Sequence, residues 1–72
     1  MPIFILNRNI QNNGDYEVHN LTTGCEHMPS FENQIPLGTY VSCHEAVAYA
    51  NTIYRYSNIN GCFYCAKECN TT

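Results

Sequence analysis

Residues 60–70 read "NGCFYCAKECN", and set three cysteines within eight positions. Thiolates at that density can hold a metal, pair as disulfides or do redox chemistry. Cys62 and Cys65 form a Cys-x2-Cys unit directly after Gly61. Such a knuckle aims two thiolates at one ion, with Zn–S distances of about 2.3 Å. The preceding glycine suits it, because knuckle turns often use positive-φ backbone. The same spacing serves thioredoxin-like redox pairs, but there it follows a strand in a βαβ unit. Here the pattern places it after a helix. Haem attachment needs His after the second cysteine, and position 66 is Ala. Lys67 is the one nearby cation to lower a thiol pKa, which is thin support for a reactive thiolate.

Cys25 follows Gly24 in a polar, turn-rich loop without apolar periodicity, as suits a distant ligand rather than a core residue. The residues leave the fourth ligand open among His19, His27, Cys69 and Cys43. Cys69 follows Cys65 by four, so a helical last segment would put both on one side and allow an all-thiolate site. His19 lies on the polar face of the second expected strand, six residues before Cys25. A strand-plus-loop pair joined to a distant knuckle pair can close a tetrahedral site. His27 makes a tight Cys-x-His with Cys25. Cys43 begins an apolar helical stripe and reads as a small buried hydrophobe, while His44 lies off that stripe in solvent. A catalytic zinc site needs an open position and a general base, and no His-Glu-x-x-His or His-x-Glu pattern occurs. The expectation is a protein that is not an enzyme.

The elements that must position these side chains are few. A chain of 72 residues makes one domain, spanning 1–72. At that size only about 60% of the unfolded surface is buried, so a disulfide, metal or partner is expected as a staple. The cysteine count is five, and an odd number weakens a pure disulfide framework. "MPIFILNRN" lacks the basic region and apolar length of a signal peptide, and no run approaches the ~20 apolar residues of a membrane span. These features point to a soluble cytoplasmic protein, where clustered cysteines more often bind metal than pair. Lys and Arg total 3 against 6 acidic residues, which leaves no basic patch for nucleic acid. A polar, weakly charged surface with six tyrosines suits a protein partner.

"PIFIL" is a β-type run, and "DYEVHN" alternates, with Tyr16 and Val18 on one face and Glu17 and His19 on the other. Asn13-Gly14 between them favours a turn, so residues 3–20 read as a hairpin. "LTTGCEHMPSFENQIPLG" reads as loop, and "TYVS" as a short third strand. Ser42 with Glu45 matches a capping box. Cys43, Ala46, Val47, Ala50, Ile53 and Tyr54 then recur at helical spacing, which predicts a helix over 43–56 with Val47, Ala50 and Ile53 buried on the hairpin. "SNING" ends it. The fold class expected is small α+β: an N-terminal hairpin, one central helix and a C-terminal cysteine knuckle, stapled by metal or disulfide.

The pieces "VHNLTTGC", "YVSCHEA" and "GCFYC" stand in an order that resembles small bacterial zinc-binding modules. It is similar to the N-terminal metal-binding domain of the Ada alkylation-repair regulator and its shorter His-containing relatives. The likeness runs from residue 19 to 65 and includes the helix start of Tyr40, Ser42, Glu45 and Ala46. It implies one Zn2+ held by His19, Cys25, Cys62 and Cys65. In Ada the first ligand position also accepts a methyl group from DNA phosphate. Here that position is His19, and the basic DNA-facing residues are absent, so the scaffold carries over without the repair function. The chain also looks like a group of small bacterial proteins with the same cysteine layout, a likeness that names no function. The combined expectation is a non-catalytic, zinc-stabilised binding or adaptor module. The competing expectations are a disulfide-stapled protein without metal and a thiol redox protein using Cys62 and Cys65.

Overall fold

A computed structural model describes residues 1–71. Four strands and one helix follow in the order β1 (Ile3–Asn7), β2 (Asp15–Asn20), β3 (Gln34–Thr39), α1 (Cys43–Ile53) and β4 (Asn58–Gly61). Short 3₁₀ turns lie at Phe31–Asn33 and Lys67–Cys69. The strands form one sheet in the order β3-β1-β2-β4. β1 pairs antiparallel with both β2 and β3, and β4 pairs parallel with β2. The architecture is therefore the expected small α+β class. Among the described residues no helix is long and apolar enough to cross a membrane.

The hairpin over 3–20 forms as the alternation predicts. Leu6 pairs with Val18 and Ile5 with His19. Gly14 supplies the turn's positive φ, at 90°. Successive residues face opposite sides of a strand, and that splits the hairpin between two jobs. Phe4, Leu6 and Val18 pack with Ala46 and Ala50 of α1 in the main core. Ile5 and His19 belong to the other side and are also buried, at 2% and 0% exposure. The helix buries Cys43, Ala46 and Ala50. Its small side chains let it sit close to the large ones of the sheet.

Several expectations need correction. The helix ends at Ile53, three residues early, where Tyr54 becomes its C-cap. Ile53 falls in that final turn and is 45% exposed, so it is not part of the buried face; Val47 is half-buried and Ala50 is buried. The capping box forms in altered shape. Ser42 is the N-cap but its hydroxyl makes no cap bond. The Glu45 carboxylate instead accepts from the Val41 N–H at 3.0 Å. The third strand is Gln34–Thr39 rather than "TYVS". Its Pro36 is tolerated because β3 is an edge strand, where an N–H can be spared. Its register skips Leu37 between the pairs Phe4–Gly38 and Ile5–Pro36, and this irregularity erases a clean alternation. "NING", expected only to end the helix, is strand β4, so the Cys-x2-Cys unit follows a strand and not the helix.

Candidate metal centre

β2 carries His19 near its end, and β4 runs parallel beside it until Gly61 lies opposite Val18. The Cys62 N–H then donates to the Val18 carbonyl at 2.9 Å, which sets the first knuckle thiol beside His19. The knuckle turns at once: the Ala66 N–H closes back on the Cys62 carbonyl at 2.9 Å. Cys25 arrives from the loop after β2, where the Gly24 N–H bonds the Asn20 carbonyl at 2.9 Å and Gly24 takes φ +68°.

His19, Cys25, Cys62 and Cys65 each offer a ligand atom, and all four atoms lie within 4.8 Å of one another. Cys25 Sγ is 3.8 Å from His19 Nδ1, and Cys65 Sγ is 3.5 Å from the same nitrogen. Cys25 Sγ and Cys62 Sγ are 3.9 Å apart. A tetrahedron's edge is about 1.6 times its centre-to-corner distance, so Zn–S bonds of about 2.3 Å give edges of about 3.8 Å. The measured edges match that size. The Cys25–Cys62 separation is also far too long for a sulfur–sulfur bond, and Cys25, Cys62 and Cys65 are free thiols. The set could hold a metal ion.

Backbone donors are aimed at the sulfurs. The Tyr64 N–H points at Cys62 Sγ over 3.4 Å, and the Asn20 N–H at Cys65 Sγ over 3.3 Å. A neutral thiol is a weak acceptor, and an anionic sulfur a stronger one. Burial works the other way: it pushes the Cys62 and Cys65 thiols up from their ordinary values. A cation among them would reverse that preference, because a coordinated thiol is deprotonated outright.

His19 is held in the state a ligand needs. Burial, with a smaller effect from His27, lowers its pKa to about 4, so the ring is neutral near pH 7. Nδ1 faces the thiols. Among the described residues, buried Nε2 has no hydrogen-bond partner, and Glu17 Oε1 lies 3.6 Å from it. Burial raises the Glu17 pKa, partly offset by His27. Metal-bound imidazoles commonly turn their second nitrogen toward a carboxylate. Strand alternation already placed Glu17 beside His19, but nothing in the sequence marked it as that ring's neighbour.

The other sequence candidates stand elsewhere. Cys69 is disulfide-bonded to Cys43 across 26 residues, with Cα atoms 6.3 Å apart. Cys43 is buried, as expected of a small hydrophobe, but it is also a staple. His44 is exposed, as expected, and His27 stacks on the Tyr64 ring at 4.2 Å between centroids. Gly61 matters for a reason other than the one expected. Its φ is not positive; a Cβ there would meet the Ala66 carbonyl oxygen and Cys69 Cβ, each at 2.6 Å. The glycine lets the chain after the knuckle fold back onto β4.

Comparisons with protein-family models, with curated proteins and with solved structures find no match for this chain. The functional reading therefore rests on its own residues.

Proposed function

We propose that the chain is a small, non-catalytic binding module whose fold is held by one Zn2+ on His19, Cys25, Cys62 and Cys65. The observation that carries this is the mutual spacing of the four ligand atoms, all within 4.8 Å and with edges near those of a tetrahedral zinc–thiolate site. Zinc is favoured by the three sulfurs and one imidazole, since soft thiolates and imidazole select it over oxygen-seeking cations. Four protein ligands fill a tetrahedral shell, as in structural zinc sites, and supply no position for substrate. His19, Cys25 and the knuckle follow the order of the Ada-type modules, and that likeness belongs to the same proposal.

A protein is the proposed partner. Phe63 and Tyr64 stand on the knuckle, 50% and 63% exposed, with ring planes at 86°. They line a cavity of 280 Å³ together with His27, Glu17, Gln11 and Cys62. Exposed aromatics on a fixed loop supply contact area at small entropic cost. The knuckle would then fix the binding surface as well as the fold. A cytoplasmic setting is part of the proposal: a reducing compartment keeps the ligand thiols available and would also hold Cys43 and Cys69 as thiols.

The test is the metal content of protein purified anaerobically without a dithiol reductant, so that the Cys43–Cys69 bond stays intact, with Cys62→Ser and Cys65→Ser beside it. About one zinc per chain, lost in both variants and kept in His27→Ala, is the expected result. Protein that takes up no zinc with its three free thiols intact would sink the reading.

A further inference from the structure

A second group of metal-ligating side chains lies at the start of α1, apart from the first. Cys43 is the first residue of the helix, and its sulfur is bonded to that of Cys69 in the 3₁₀ turn. The His44 ring and the two sulfurs place one ligand atom each within 4.8 Å of one another. Glu68 brings its carboxylate oxygen to 3.8 Å from Cys43 Sγ. In the disulfide neither sulfur carries a proton or charge, so that carboxylate faces an atom it cannot bond. We propose that Cys43, His44 and Cys69 form a second divalent-cation site, masked by the disulfide and opened by a dithiol reductant.

The chemistry closes without further reactants. The dithiol reductant breaks the Cys43–Cys69 bond, supplies two electrons and two protons, and is itself oxidised to a disulfide. The two thiols left on the protein then exchange their protons for a soft divalent cation, and the protons go to solvent. Two thiolates and one imidazole nitrogen are donors that zinc accepts, with water in the fourth position. Position favours the thiolates. Cys43 sits in the first helical turn, where the helix dipole stabilises negative charge. Access is open as well. His44 and Glu68 are exposed, and a cavity of 170 Å³ bordered by Ser42, Cys43, Cys65 and Glu68 reaches the first of the two sulfurs. The first cluster differs in kind, because its three sulfurs are unpaired in the same structure.

The experiment compares metal content before and after reduction of that one bond. Metal-loaded protein with the bond intact is treated with dithiothreitol, desalted anaerobically, offered Zn2+ or Co2+, and desalted again. Reduction should add about one equivalent, with a new thiolate–cobalt absorption. The double variant Cys43→Ser/Cys69→Ser should lose that added equivalent. His44→Ala, at an exposed position that spares the core, should weaken it by about tenfold or more. His19→Ala should leave it in place. Equal metal content before and after reduction overturns the proposal, and so does an added equivalent that His44→Ala leaves at full affinity. Failure of the four-ligand reading would show separately, as absence of metal from the oxidised protein, while the difference on reduction is still read.

Discussion

The same residue type does two different things at the two ends of the C-terminal segment. At residues 62 and 65 the sulfurs stand apart, 3.5–3.9 Å from Cys25 or His19, and neither is bonded to another sulfur. At residue 69, one short turn later, the sulfur is bonded to Cys43. Both arrangements tie the last segment to an earlier element: the first to β2 and its following loop, the second to the start of α1. The difference teaches that spacing decides the role. Sulfurs held at the edge length of a tetrahedron leave room for an ion between them, and backbone N–H groups are aimed at two of them. The paired sulfurs leave no such room and close on each other.

The comparison predicts unequal consequences. Structural zinc contributes on the order of 10–16 kcal/mol of apparent binding free energy at pH 7. Chelation of the loaded protein should therefore abolish its cooperative unfolding transition, even with the Cys43–Cys69 bond intact. Thermal melts followed by circular dichroism, with and without chelator, are the measurement. A chelated protein that melts as sharply as before would reverse the ranking and make the sulfur bond the main staple.

Breaking the bond should cost much less. Closing a loop of this size restricts the unfolded chain, and removing the closure costs about 2–4 kcal/mol. Cys43→Ala/Cys69→Ala should lower the unfolding free energy by that amount in denaturant titrations. Metal content at the four-ligand site should not change. Loss of that metal in the double variant would show that the two regions act as one.

The candidate site was more legible in the sequence than the strands that build it. Cys-x2-Cys, the loop cysteine and a histidine on an alternating strand are local patterns, and the structure brings their ligand atoms within 4.8 Å of one another. β4 is four residues long, and its pairing with β2 spans more than forty positions, so nothing local announces it. β3 hides behind Pro36, Gly38 and a skipped residue. The helix stripe misled at Ile53, because periodicity says which residues share a face and not where the last turn ends. The bond between Cys43 and Cys69 depends on the chain folding back over the helix start, a contact that spacing alone does not specify. Gly61 was noticed for the wrong property, since close approach to another segment leaves no mark in the local sequence.

Gly61 is also where the two regions meet. A Cβ added there would stand 2.6 Å from both the Ala66 carbonyl oxygen and Cys69 Cβ. Ala66 belongs to the knuckle turn and Cys69 to the sulfur bond, so one methyl group disturbs both. The obstacle is partly backbone and cannot swing aside. Overpacking of this kind costs about 1–3 kcal/mol. Gly61→Ala should show that loss and also weaken metal binding, measured on one sample by denaturation and by competition with a metallochromic chelator. A variant with parental stability would mean that the segment after the knuckle sits farther from β4.

The mildest effect separates the two regions by pH. The His19 pKa is lowered from 6.5 to about 4, mainly by burial. In the unfolded chain the imidazole takes up a proton near pH 6.5, while the folded protein resists until about pH 4. Between those values the unfolded state binds more protons, so stability must fall as the pH falls. From pH 7 to 5.5 the loss from this one group is on the order of 1 kcal/mol. In metal-loaded protein, protons also compete with the ion for Nδ1 and the thiolates, which adds a loss of the same sign. The Cys43–Cys69 bond holds no titrating sulfur and contributes nothing to this slope. Denaturant midpoints at pH 7 and 5.5 should therefore fall in the parent and fall equally in Cys43→Ala/Cys69→Ala. Stability that stays level on acidification would show that His19 is not held neutral, and would remove the imidazole from the ligand set.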